Sequence, residues 1–411
     1  MIDKFDKTPL IFKRSIINNG FNSTLLNNES LRDNTLIFSK EVKTQKVCNQ
    51  HQSGRCWIFA GLNILREKVA KKHKIENFEF SQNFVMFYDK YERAKLFLKN
   101  IDNDEPLDSR LNMFLLKDPI SDGGQWDMLS NLIKKYGLVP KELMPETFSS
   151  KNTSELNNMI NMELRKATLA LRNNKKDEVV FNTLEIVYNL LINSLGTPPK
   201  NFNYEYYSNK KYKIKSFNSP LDFYRNFVEN SEYISIINCP TEELYKSYTI
   251  DKLGSVEEMG GVRYLNISIE EMKQLVIKQL NSDELVWFGS DVSKYNKIDK
   301  EVGVLDDKLY AYYGLDLDKE QNLLTGGSIP NHAMAFSGVN IVEKKSTKWK
   351  VENSWGDTLG YNGFLVMSNS WFDKFVYQAV INKKYVNKKL LNIYNSDPIV
   401  LPPWHPMGTL A

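Results

Sequence analysis

Cysteine and histidine are both scarce in this chain: three and four, respectively, in 411 residues. Three thiols, Cys48, Cys56 and Cys239, are too few for a disulfide framework, and an odd number leaves at least one free. A reducing compartment, the cytoplasm, is therefore expected. No stretch of about 18 uninterrupted apolar residues occurs, which argues against a membrane-spanning helix. The opening residues Met1-Ile2-Asp3-Lys4-Phe5-Asp6-Lys7 include acidic residues and no apolar core, so no secretion leader is expected. An excess of one charge is lacking too. With 54 basic and 50 acidic residues the net charge is +4, too balanced for a specific nucleic-acid surface, and basic runs at 173–176 and 209–215 read as solvated turns. There is no internal repeat, phosphate-binding loop, dinucleotide fingerprint or Cys/His metal cluster, so no cofactor is expected.

What the chain does have is ample core material, with 42% apolar and 12% aromatic residues. Its length exceeds the usual size of a single core, so two or more lobes are expected.

One cysteine stands in an unusual setting. Residues 49–60 read Asn-Gln-His-Gln-Ser-Gly-Arg-Cys-Trp-Ile-Phe-Ala, with Cys56 just past a Ser53-Gly54 turn. Apolar residues then recur at Ile58, Leu62, Leu65 and Val69 with helical period. Cys56 thus falls in a first helical turn, where unpaired backbone N–H groups and the helix dipole favour a thiolate. An isolated cysteine is more often a buried structural residue. Here, however, Gln50 can fold back across the turn, and its side-chain N–H and the Cys56 backbone N–H would form a two-donor oxyanion hole.

A thiol nucleophile needs a base. His51, His73 and His405 read as solvated, the second in a lysine-rich run and the third in a Pro-rich tail. His332 opens a strand-like run, 332–339, followed by a polar turn around 343–346 and a second strand, 349–355. A hairpin would set Asn353 beside His332, where its amide can fix the tautomer and orientation of the ring. Taken singly, His332 reads as a strand histidine and Asn353 as a turn residue. Jointly with Gln50 and Cys56 they make a pattern hard to reach by chance.

Between these elements lies a long and largely helical region. Leu156, Ile160, Leu164, Ala167 and Leu171 mark one amphipathic helix, and Val180, Leu184, Val187 and Leu191 another, closing at residues 193–199.

The chain resembles the papain superfamily and, within it, the bleomycin hydrolase and aminopeptidase C branch. The resemblance is carried by residues 52–60, Phe-Ser-Gln-Asn at 80–83, Asp-Gly-Gly-Gln-Trp at 122–126, residues 136–141, 286–292 and 331–334, Val-Glu-Asn-Ser-Trp-Gly-Asp at 351–357, and the last eight residues, 404–411. Two departures from papain itself point to the larger branch. Ser53 stands where papain has a second cysteine, and His332 lies much farther downstream than papain's roughly 130–150 residues. Ser290 replaces a cysteine present in some relatives.

The resemblance implies an α+β, two-lobe papain-like fold: a helical lobe with the nucleophile helix, a β-rich lobe with the His and Asn, and large, mainly helical insertions. Residues 1–145 would begin the catalytic domain, with an insertion around 86–120. A mainly helical insertion would follow at 146–280, a β-rich lobe at 281–400 and a tail at 401–411. It implies Cys56 as nucleophile, His332 as general base and acid, Asn353 as orienting residue and Gln50 as oxyanion donor. Gly123, Gly124, Trp355 and Ala411 would border the substrate, and Trp355 would also shield the His–Asn bond. The implied partners are peptides and five further copies of the chain in a homohexamer.

The tail, with three prolines, cannot be helical. Trp404, Met407 and Leu410 are costly to leave in water, so it should dock. By resemblance it enters the cleft, and the Ala411 carboxylate meets a substrate's free α-ammonium, giving an aminopeptidase. A thiol acyltransferase or transamidase on the same residues, or a silent peptide-binding homologue, are the alternatives.

Overall fold

The computed structural model describes residues 8–101, 104–173, 176–228, 231–310 and 316–409. Its architecture is α+β. The helix Cys56–His73 runs through the middle of the molecule, and its first ten residues, Cys56 to Leu65, are all buried. The expected stripe Ile58, Leu62, Leu65 and Val69 is inside, but so is the rest of the first three turns, because the helix is covered by helices on one side and by the sheet on the other. It ends where Lys74 turns left-handed, with Lys71, Lys72 and His73 at the negative end of the dipole.

Helix Gln82–Asn100, capped by the Ser81 hydroxyl, and helix Trp126–Tyr136 pack against it. The two amphipathic helices expected from periodicity run Ser154–Leu171 and Lys176–Leu195 and pack on each other. All five marker residues of the first are buried. The second continues to Leu195, and Gly196, with φ +90°, makes the exit.

Among the described residues twelve strands form one sheet. Near its centre, strand His332–Val342 lies antiparallel between Val286–Ser290 and Lys345–Glu352, with His332 opposite Ser290. The hairpin turn is only Glu343-Lys344, both at positive φ, as a tight turn matched to strand twist requires. The second strand stops at Glu352, short of the expected Trp355. Asn353 Oδ1 accepts the Ser354 N–H at 2.8 Å, a local bond that competes with the ladder. Strands 233–237, 246–250 and 264–266 join the same sheet, as does 399–401 of the tail.

The basic run at 209–215 is not simply turn. Only Asn209 and Lys210 turn, both at positive φ, and they join strands Phe202–Ser208 and Lys211–Phe217. The lysines alternate with Tyr212 and Ile214, a period of two that their charge obscures.

Candidate active site

The turn before the helix is tied down residue by residue. Ser53 Oγ donates to the Gln50 carbonyl at 2.6 Å and accepts from Arg55 Nε at 3.0 Å, so serine holds this turn together without a thiol. Gln50 is buried. Its Nε2 donates one hydrogen to the Ser53 carbonyl at 2.6 Å, its Oε1 accepts the Ser354 hydroxyl at 2.7 Å, and its backbone N–H reaches the Ser354 carbonyl at 2.8 Å. An amide nitrogen carries two hydrogens, so one remains for an oxygen beside Cys56.

Cys56 begins its helix as expected, and the Ala333 N–H points at its Sγ from 3.4 Å. The thiol therefore sits against the first residues of the His332 strand. His332 Nε2 is 2.8 Å from Asn353 Oδ1, and the Trp355 indole covers the imidazole with ring centroids 4.8 Å apart. With Nε2 engaged by Asn353, Nδ1 is the ring nitrogen left for other chemistry. The structure thus brings Gln50, Cys56, His332, Asn353 and Trp355 into one cluster spanning helix and sheet.

Burial governs the protonation of the pair. It pushes the Cys56 thiol up to about 11, against the opposing pull of the Ala333, Trp57 and Cys56 backbone N–H groups. It also pulls the His332 imidazole down to about 4, against the Asn353 hydrogen bond. The acidified thiol expected from the helix N-terminus is thus outweighed by desolvation, which disfavours each charge taken alone.

The Gly123-Gly124 loop lies on the other side of Trp57. A Cβ on Gly124 would come within 2.4 Å of the Trp57 ring, so this glycine is required by packing against the residue that follows Cys56. Asp122 is the knot of the region. Its carbonyl accepts the Trp57 indole N–H at 2.6 Å, and its carboxylate accepts from the Gly54 N–H, Lys90 Nζ, Asn157 Nδ2 and the Thr153 hydroxyl. Burial alone would raise this carboxyl, but Lys90, Thr153 and Asn157 hold it well below its ordinary range.

The tail docks. Met407 is buried, His405 pairs with Glu242 at 3.2 Å, and Gln125 Nε2 donates to the Thr409 carbonyl at 2.7 Å. Trp404 stays partly exposed over the Arg110 guanidinium, 3.8 Å from ring centroid to Cζ. Ala411 and Leu410 lie outside the described residues. Of the three histidines read as solvated, His51 is exposed, whereas His73 stacks on Phe227 at 3.8 Å and His405 is packed in the docked tail.

Two of the buried ion pairs that brace the site have no signature in the local sequence. Arg55 forks onto Glu146 at 3.1 and 2.7 Å, fixing the turn before Cys56. Arg66, on the Cys56 helix, meets Glu352 at 3.0 Å, and Asn63 donates to the same carboxylate at 2.8 Å, fastening that helix to the strand that ends beside Asn353. Among the described residues no group of His, Cys, Asp and Glu side chains is arranged to hold a metal ion, and no helix is long and apolar enough to cross a membrane.

A thiol at a helix head beside a His–Asn pair, on this α+β frame, marks a papain-like cysteine peptidase. Residues 3–408 match the model of the Peptidase C1-like family, and the chain belongs to that family. It is 43% identical to aminopeptidase C of Lactobacillus delbrueckii subsp. lactis, over 96% of this chain and 92% of that protein. It is 40% identical to aminopeptidase C of Listeria monocytogenes, over 98% and 95%. The crystal structure of PepW from Lactobacillus rhamnosis HN001 superposes with a TM-score of 0.97 at 42% identity, covering 100% of this chain and 98% of that one.

Proposed function

We propose that this enzyme is a cysteine aminopeptidase that releases amino-terminal residues from peptides through a thioester on Cys56. As Sγ attacks the scissile carbonyl, its proton passes to His332 Nδ1. The two new charges lie side by side, so burial opposes their joint formation less than it opposes either alone. Asn353 holds the ring, the second Gln50 N–H and the Cys56 N–H receive the oxyanion, and His332 then protonates the departing amine. Water activated by His332 frees the acyl group. Gly123, Gly124 and Trp355 border the bound peptide.

The observation that carries the aminopeptidase reading is the docking of the tail beside the Gly123-Gly124 loop, through the bond from Gln125 to Thr409. Continued along that path, Ala411 would close the non-primed side, and its carboxylate would meet the α-ammonium of the substrate. Relatives named aminopeptidase C accord with this. The reading includes a cytoplasmic homohexamer, supported by the apolar side chains Leu10, Ile11, Ile17 and Phe21 that the first helix leaves exposed.

The test compares hydrolysis of one peptide with its amino terminus free and acetylated, with and without prior alkylation of the enzyme. Release of the first residue from the free peptide alone, abolished by alkylation, is expected. Equal cleavage of both peptides would refute the aminopeptidase reading.

A further inference from the structure

The side chain that reaches the tail is itself oddly placed. Gln125 follows Gly124, which packs so closely on the Trp57 ring that no Cβ would fit, and its own carbonyl accepts the Met128 and Leu129 N–H groups at 3.1 and 3.2 Å as the Trp126–Tyr136 helix begins. Its backbone is therefore fixed on both sides. Gln125 is 1% exposed, and while Nε2 donates to the Thr409 carbonyl, Oε1 is buried without a partner among the described residues. An unmet buried carbonyl is unfavourable, and an apolar side chain of similar size would avoid it. What a leucine could not do is hold Thr409.

The other ties of the tail lie farther back: strand 399–401 on 248–250, His405 on Glu242, and the Tyr264 hydroxyl on the Met407 carbonyl at a long 3.5 Å. The Gly408 and Thr409 backbone N–H groups, and the Thr409 hydroxyl, bond within the tail itself. Among the described residues Gln125 makes the last tie before the chain's final two positions.

We propose that Gln125 is a positioning residue that sets how far the tail reaches along the cleft, and thereby selects removal of amino-terminal residues over cleavage within a chain. The inference rests on the proposed role of the tail. Gln125 does not touch the reacting atoms; it acts through Thr409. Its removal should let the tail end swing, weakening recognition of a free α-ammonium and admitting peptide where the tail had been.

The experiment measures kcat/KM for matched free and acetylated peptides in wild type, Gln125→Leu, Gln125→Glu, an enzyme lacking residues 408–411, and the truncated enzyme carrying Gln125→Leu. Loss of one neutral hydrogen bond predicts that Gln125→Leu lowers the free-to-acetylated ratio by up to about tenfold. The change should appear as a raised KM for the free peptide and a gain on the acetylated one. Gln125→Glu, which keeps the shape but sets a carboxylate oxygen against the Thr409 carbonyl, should act in the same direction, so a misfolded leucine variant does not end the test. In the truncated enzyme Gln125→Leu should change the ratio no further. If truncation lowers the ratio but neither Gln125 variant does, this proposal is overturned while the role of the tail stands. If truncation itself leaves the ratio unchanged, the tail reading fails and this inference with it. An equal effect of Gln125→Leu with and without the tail also overturns it, since Gln125 would then act by another route.

Discussion

His332 Nε2 lies 2.8 Å from Asn353 Oδ1, with the Trp355 ring packed over the imidazole. The bond commits Nε2 and leaves Nδ1 as the nitrogen that serves the thiol in the proposed mechanism. Asn353→Ala should therefore lower kcat much more than it raises KM, because the amide orients the ring and touches no substrate. Steady-state kinetics on a free-amino-terminal peptide check this. An effect confined to KM would show that Asn353 does something else.

Gln50 is held on three sides, by Ser53 and by the Ser354 hydroxyl and carbonyl, which leaves one N–H for the proposed oxyanion. Gln50→Ala should cost on the order of 10²–10³ in kcat, the usual loss for one oxyanion donor. Gln50→Glu, which removes the N–H and brings negative charge, should do no better. A loss below about threefold in both variants would take Gln50 out of the mechanism.

The pH dependence follows from burial of the pair. His332 is pulled down to about 4, so it is a neutral proton acceptor above that pH and a spent cation below it. The acid limb of kcat/KM should accordingly fall near pH 4, well below the ordinary histidine range. The sign for stability agrees, since a depressed histidine favours the unfolded chain as pH drops below about 6.5, where the unfolded group begins to take up its proton. A limb near 6.5 would mean that His332 is solvated in the working enzyme.

Glu352 and Arg66 join the nucleophile helix to the strand leading into Asn353. Burial raises Glu352 to about 7 despite the neighbouring Arg66 charge. Glu352→Ala leaves the buried Arg66 with Glu67, at 3.3 Å, as its remaining carboxylate, so it should cost about 3 kcal/mol in denaturant unfolding, the low end for a broken buried pair. A loss under about 1 kcal/mol would mean that the pair is not closed in solution.

The parts of the site that were legible in the sequence are those built from neighbours in the chain. The Ser53-Gly54 turn, the helix after Cys56, and a strand beginning at His332 and returning to Asn353 each declare themselves through local period and turn chemistry. The two long helices did so as well, since their buried residues repeat on one face. The supports were not legible. Asp122 with Gly54 and Asn157, Arg55 with Glu146, and Arg66 with Glu352 join residues far apart along the chain, and nothing local distinguishes their charges from a solvated surface. The hairpin at 202–217 was hidden for a related reason, its lysines masking the alternation of Tyr212 and Ile214.

In the proposed mechanism Cys56 carries the acyl group during turnover. Acid-quenched mixtures of enzyme and a free-amino-terminal ester or peptide, digested and weighed by mass spectrometry, test it most directly. An adduct of one aminoacyl mass is expected on the peptide containing Cys56, lost on treatment with hydroxylamine, with neither adduct nor turnover in Cys56→Ala. Full turnover by a folded Cys56→Ala enzyme, or an adduct on another residue, would contradict it.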